Sequence, residues 1–353
     1  MMNPASSPPP DTLDTVRLRD WLAPRMDGVG PDLTLTRFTG GQSNPTYLLE
    51  TGARKFVLRR KPGGKLLPSA HAIDREFRVI SALSQTEVPV ARPHLLCEDD
   101  SIIGSAFYVM DHVEGRVFWD AALPDLAPAE RGAIYAEMSR VLAALHAVDY
   151  KAVGLESYGK AGEYVQRQIA RWTSQYRASA TEHVPAMENL MAWLPEHIPA
   201  GDETAIIHGD CRIDNMIFHP TEPRVLAILD WELSTLGHPL ADFAYHCLVY
   251  RMPRALFTGL AGLDLASLGL PDEAGHRGDY FRRAGRAELS AETWNFYIIF
   301  NLFRLAGIAQ GVMARALQGN AASADALEMG SRARPLAELG WRQVEILENG
   351  KGR

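Results

Sequence analysis

The stretch Ile206-Ile207-His208-Gly209-Asp210-Cys211-Arg212-Ile213-Asp214-Asn215-Met216-Ile217-Phe218 constrains the chain more than any other. Two short apolar runs bracket a polar loop that sets an Asp and an Asn five residues apart. A third apolar run, Val225-Leu226-Ala227-Ile228-Leu229, ends on Asp230. Runs this short, bounded by turn formers, predict buried strands, and a carboxylate at the end of such a strand projects into a cleft. Asp and Asn favour turns whatever their function. In this order, between apolar strands, they instead supply what phosphoryl transfer from ATP requires: a carboxylate beside the attacking hydroxyl, and an amide with a second carboxylate for Mg²⁺.

With 353 residues the chain is long enough for two lobes around a shared cleft. A hydrophobic content of 46% and a charged content of 22% fit a globular protein. The formal net charge of −7 argues against nucleic acid as a main partner, which would need a basic face. Cys97, Cys211 and Cys247 have neither metal-ligand nor disulfide spacing, so a cytoplasmic location is expected. No membrane partner is expected, since no apolar run approaches the roughly 20 residues of a span. Residues 1–12 read as a disordered tail rather than a signal peptide.

The expected fold class is α+β. Residues 1–30 read as a disordered or loosely packed segment, 31–113 as a small nucleotide-binding lobe with an antiparallel sheet and one helix, and 114–353 as a larger, mostly helical lobe. Leu33–Phe38, Thr46–Glu50, Lys55–Arg60, His94–Cys97 and Ala106–Val113 are the predicted strands of the small lobe. A helix from Pro68 to about Ser84 carries Ile73, Phe77, Ile80 and Leu83 on one face. The larger lobe should hold helices at 128–147, 160–178, 183–194, 239–252, 276–285, 291–317 and 323–348.

Within this frame Asp210 is the candidate base, and Asn215 and Asp230 are the candidate Mg²⁺ ligands. His208 is expected to brace the loop rather than transfer protons, because neutral His commonly locks backbone carbonyls. Gly40-Gly41-Gln42-Ser43-Asn44 joins two strands, where backbone N–H groups can approach phosphates; Gly40, Gly41, Ser43 and Asn44 are the candidate contacts.

These residues resemble the aminoglycoside-phosphotransferase-like kinases, a group related to protein kinases, and most closely the branch attached to, or encoded near, acyl-CoA dehydrogenases. The resemblance rests on Val57-Leu58-Arg59-Arg60-Lys61-Pro62, Leu67-Pro68-Ser69-Ala70-His71, Asp74-Arg75-Glu76, His208-Gly209-Asp210, Asp230-Trp231-Glu232 and Gly237-His238-Pro239-Leu240-Ala241-Asp242. It covers about residues 30–330 and implies a bilobal kinase-like fold, ATP and Mg²⁺ as cofactors, and a functional link to an acyl-CoA dehydrogenase. The phosphate-binding position of such kinases is normally Lys and is Arg59 here, a residue that keeps the charge and can fork onto phosphate. Glu76 is its expected partner. Tyr108–Gly115 resembles the segment that receives adenine, through the Asp111 carbonyl and the Val113 N–H. Asp242 is expected to accept backbone N–H groups near the start of the helix at 239–252 and hold the catalytic loop.

The acceptor should be chosen by the helical lobe. Trp294, Arg304 and Gln310 interrupt an apolar helix, and a buried Arg needs a carboxylate partner or an acidic ligand. Arg304 and Arg315 together favour an anionic small-molecule hydroxyl acceptor over a polycationic one, with a hydroxylated acyl or acyl-CoA compound as the class the resemblance suggests. The main alternative is a catalytically silent nucleotide-binding protein, supported only by Arg59. A metallohydrolase has too few His and carboxylate ligands, and a protein kinase would need an activation segment between Asp230 and Gly237.

Overall fold

A computed structural model of the chain describes residues 13–38, 44–52, 54–62, 72–319 and 325–351. It divides into two compact units: residues up to Phe77 together with Arg92–His112, and Arg78–Ala91 together with Val113 onward. Gly40, Gly41, Ser43 and the Leu67–His71 motif lie outside the described residues.

The first unit is a five-stranded antiparallel sheet of order β1-β2-β3-β5-β4. Its strands are β1 (Thr34–Arg37), β2 (Thr46–Thr51), β3 (Arg54–Arg60), β4 (Pro93–Cys97) and β5 (Phe107–Asp111). Side chains of period two sort onto its faces. Tyr47, Leu49, Phe56, Leu58, Phe107 and Val109 join one core cluster with Leu18 and Leu22. Tyr108, on the opposite face, hydrogen-bonds Glu76 of helix α2 (Ile73–Leu83).

For the described residues 13–30, Leu18 and Leu22 correct the loose reading. They belong to helix α1 (Thr15–Leu22), capped where the Asp14 side chain accepts from Arg17 N–H, and both are fully buried. Spaced i and i+4, they present one apolar stripe to the sheet, and each contributes roughly 1.5–3 kcal/mol by burial.

The second unit is built around helix α9 (Ala291–Leu317), buried without interruption from Phe296 to Arg304. Helices α3 (Pro128–Ala147), α4 (Tyr164–Ser179), α5 (Pro185–Glu196), α6 (Pro239–Cys247), α7 (Leu265–Leu268), α8 (Glu273–Arg283), α10 (Ala326–Ser331) and α11 (Ala333–Lys351) complete it. By length and composition α9 could cross a membrane, contrary to the expectation that no segment would, but 72% of its most apolar window is buried inside the protein. A helix apolar on all sides and wrapped by others is a core helix.

The predicted helices at 128–147 and 291–317 match α3 and α9 to the residue. That at 239–252 gives way to a 3-10 turn at Leu248–Tyr250, and that at 323–348 breaks at Arg332. Close approach explains the small residue beside the break: a Cβ on Gly330 would lie 2.6 Å from the Cβ of Met313 on α9. Arg78–Ala91 is tied to this unit through Ile228 N–H to the Pro89 carbonyl, 2.9 Å, and Arg78 Nη2 to the Gly154 carbonyl, 2.9 Å.

Candidate active site

Two short ladders bring the polar loops of the second unit together. Strand β6 (Ala205–Ile207) pairs with β9 (Thr235–Gly237), and β7 (Met216–Phe218) pairs with β8 (Val225–Ile228). The register Met216↔Ile228 places Asn215 beside Leu229, whose N–H donates to the Asn215 carbonyl at 2.8 Å. Asp230 follows directly, in the left-handed backbone region at φ 63° and ψ 59°. Asp and Asn tolerate that region better than other non-glycine residues.

The Asp210 carboxylate is held on both oxygens. Oδ2 accepts from Asn215 Nδ2 at 3.2 Å, and the same amide donates to the Asp210 carbonyl at 2.8 Å. Oδ1 accepts from the Tyr245 hydroxyl and lies 3.5 Å from Arg212 Nε. Burial, reinforced by the neighbouring Asp210 charge, pushes the Tyr245 phenol far above its ordinary range, so Tyr245 is the donor. With Nδ2 of Asn215 committed to Asp210, its Oδ1 is the oxygen left to accept or ligate.

His208 spans the two loops. Its Nδ1 accepts from Asp210 N–H at 3.2 Å and its Nε2 donates to the Leu229 carbonyl at 2.7 Å. Both ring nitrogens are used by one neutral tautomer, as expected of a brace. Gly209 beside it has φ +85°, and a Cβ there would meet the Leu233 carbonyl oxygen at 2.8 Å, so only glycine fits.

Asp242 holds the loop from below. Its Oδ2 accepts from His208 N–H and its Oδ1 from Gly209 N–H, each at 2.8 Å, and His146 Nε2 lies 3.2 Å from Oδ2. Burial raises this carboxyl, but the hydrogen bonds from His146 and from the His208 backbone N–H hold it below the usual range. The accepted N–H groups belong to the loop rather than to the start of α6. Sequence reasoning missed Tyr245, although it lies one turn after Asp242, a spacing that puts both on one face of α6.

A cavity of about 320 Å³ opens beside these groups. Asp210, Arg212, Tyr245 and Arg304 line it, and Leu305, Ile308, Val312 and Leu336 are among its apolar walls. Of the three expected acceptor residues only Arg304 reaches it. Trp294 points its indole N–H at Glu273 Oε1, 2.7 Å away, and Gln310 donates to the Ser179 carbonyl at 2.7 Å beside a separate pocket.

In the first unit the nearly buried Glu76 carboxylate gathers three partners. Arg59 Nε forms an ion pair at 2.8 Å, Asn44 Nδ2 donates at 2.6 Å and the Tyr108 hydroxyl at 3.1 Å. Glu76 on α2 thus pairs with Arg59 on β3, across elements. Asn44, a candidate phosphate contact through the backbone of its turn, gives its side-chain amide to Glu76. Asp111 closes β5 with its carboxylate 2.6 Å from His94 Nε2, and its N–H donates to the Arg92 carbonyl. Val113 belongs to the second unit.

The phosphotransferase enzyme family profile (APH) matches residues 34–278. Acyl-CoA dehydrogenase family member 10 of Mus musculus is 48% identical over 314 residues, 88% of this chain and 29% of that protein. Acyl-CoA dehydrogenase family member 11 of Rattus norvegicus is 45% identical over 338 residues, 94% of this chain and 43% of that protein. The chain thus spans less than half of these curated relatives. Among solved structures, a candidate aminoglycoside phosphotransferase from Ralstonia eutropha JMP134 is 54% identical with a TM-score of 0.88, covering 95% of this chain and 99% of that one. Choline kinase from Cryptosporidium parvum Iowa II, 11% identical, shares the fold at a TM-score of 0.67 over 96% of this chain and 97% of that one. With a profile matched over most of its length and a kinase-like α+β fold, the chain belongs to the phosphotransferase enzyme family.

Proposed function

We propose that this protein is a cytoplasmic ATP- and Mg²⁺-dependent kinase that phosphorylates a hydroxyl of a small amphipathic molecule, in the class of hydroxylated acyl or acyl-CoA compounds. The observation that carries this reading is the Asp210 carboxylate, fixed by Asn215 and Tyr245 at the wall of a largely apolar cavity. Asp210 orients the acceptor hydroxyl and takes its proton as the new O–P bond forms and the bond from the γ-phosphorus to the departing ADP breaks. Cationic aminoglycosides fit poorly beside Arg212 and Arg304, and an apolar chain fits well along the cavity wall.

The residues present suit Mg-ATP, which supplies the transferable phosphoryl group and the neutralising cation. Asn215 Oδ1 and the Asp230 carboxylate are the proposed Mg²⁺ ligands. Such a sparse protein set is usual for an ion that also takes phosphate oxygens and water, and no cluster of three His, Cys, Asp or Glu occurs among the described residues. Arg59, aimed by Glu76, is the proposed phosphate contact, with Gly40, Gly41 and Ser43 as further candidates. The Asp111 carbonyl and Val113 N–H remain the proposed adenine contacts. The names of the curated relatives support a functional link to an acyl-CoA dehydrogenase.

The silent-binder alternative rests on Arg59; the ion pair with Glu76 suits nucleotide binding on either reading, and turnover decides between them. Purified protein should consume ATP with hydroxyacyl acceptors, and Asp210→Asn should lower kcat by roughly 10²–10⁴-fold while leaving nucleotide affinity within about twofold. Unchanged turnover in Asp210→Asn would remove Asp210 as the base. Turnover of aminoglycosides alone would remove the acceptor class.

A further inference from the structure

Arg304 lies on α9, is 7% exposed and lines the cavity beside Asp210. Its guanidinium donates from Nη2 to the Gly209 carbonyl at 2.6 Å and sits 5.0 Å from the centre of the Tyr245 ring. No ion pair among the described residues includes it, whereas Arg212 at the same cavity pairs with Asp214 at 2.8 Å. A second buried arginine shows how this chain satisfies a guanidinium without a carboxylate. Arg131, 8% exposed, donates to three carbonyls, those of Leu126, Leu268 and Pro124. Arg304 has one.

A guanidinium carries five N–H donors, and a buried cation without a counter-charge is costly. None of Arg304's nitrogens is a sealed, partnerless atom in the core, so the donors not used on Gly209 open to the cavity. The walls beyond Arg304 are apolar: Leu305, Ile308 and Val312 continue along α9, and 304 to 312 spans about 12 Å of helix. Tyr245 separates the two charged ends of the site, with its ring against Arg304 and its hydroxyl on Asp210.

We infer that Arg304 is the specificity determinant of the acceptor site, reading an anionic oxygen group, carboxylate or phosphate, on a molecule whose apolar chain lies along Leu305, Ile308 and Val312. This rests on the kinase reading for its role in turnover, but not for its role in binding. The anion completes the hydrogen bonds that the fold leaves unmade on Arg304. The chain replaces water along α9, and the hydroxyl reaches Asp210 past the Tyr245 ring.

The test is equilibrium binding by isothermal calorimetry on the full chain without nucleotide, using octanoate, octyl phosphate and octan-1-ol. Wild type should bind one of the two anions on the order of tenfold or more tighter than the alcohol, and which anion wins identifies the group read. Arg304→Gln should abolish that preference and leave alcohol affinity within about threefold, showing that the apolar track survives. Arg304→Lys keeps the charge and a donor for Gly209, so it should retain a reduced preference even if the glutamine variant does not fold. Equal affinity of wild type for anions and alcohol, or an anion preference that persists undiminished in either variant, would overturn the inference. If no acceptor is phosphorylated but the anion preference holds, only the kinase reading fails.

Discussion

Glu76 in the β-rich unit and Asp242 in the helical unit are equally buried, at 2% exposure, yet their charges are met in different currencies. Glu76 takes side chains: the Arg59 guanidinium, the Asn44 amide and the Tyr108 hydroxyl. Asp242 takes two backbone N–H groups and an imidazole. A carboxylate that binds a guanidinium decides where a long, charged side chain goes. One that binds consecutive N–H groups decides the path of the main chain, here the turn at Gly209. The first device can be weakened with the fold left standing; the second cannot.

The largest expected effect follows from that difference. Asp242→Ala strands two N–H groups and His146, and should cost about 3–5 kcal/mol in denaturant unfolding together with most turnover. A cost below about 1 kcal/mol would mean that Asp242 does not hold the loop.

Acid should then separate the units. Burial lowers His238 and His246 to about 4, and lowers His276 well below its ordinary value, and all three lie in the helical unit. Their bonding suits neutral rings: His246 Nδ1 donates to the Cys211 carbonyl at 3.0 Å, and its Nε2 meets His276 Nε2 at 3.0 Å. Because the folded value is depressed, the unfolded chain binds protons first. Stability is therefore full above about pH 6.5 and falls as pH drops toward 4, by roughly 1.4 kcal/mol per pH unit for each histidine. Unit-resolved hydrogen exchange at pH 7 and pH 5 should show the loss in the helical unit; equal loss in the sheet would break the contrast.

Glu76→Gln should mainly raise the KM for ATP, on the order of tenfold, because Arg59 loses its charged guide. Should stability fall as far as in Asp242→Ala with an unchanged KM, Glu76 would be a structural residue of the same kind. The smallest effect belongs to Asn44→Ala, about 1 kcal/mol of stability for one hydrogen bond to Glu76, with little change in KM. A KM increase matching that of Glu76→Gln would mean that the Asn44 side chain, too, positions the phosphate contact.

Much of the fold was legible because it is local. α3 begins at a Pro that pre-sets the first helical turn, and α9 carries a long apolar pattern, so both bounds could be read. The eight-residue α1 escaped notice because its apolar stripe, Leu18, Trp21 and Leu22, spans barely one turn, too short for a periodic pattern to stand out. The break at Arg332 has a local cause that went unread: Pro335 has no N–H for the Ser331 carbonyl and falls in the first turn of α11, where a helix tolerates it. In the site, Asp210, Asn215 and Asp230 stood out through their order between apolar runs. Trp294 and Gln310 were drawn toward the acceptor because α9 is apolar all round, and such a helix does not announce which face borders a cavity.

The sequence alone determined the family, the α+β class and the acidic and amide groups of the loop, since these depend on residue type and short spacing. Tertiary structure decided which distant groups meet. The β7–β8 register sets Asn215 beside Leu229, α6 brings Asp242 and Tyr245 under the loop, and α9 brings Arg304 to Gly209 without a carboxylate. Those pairings depend on packing across scores of residues, where burial makes each unmet charge costly and leaves the partner's identity unwritten in any local stretch.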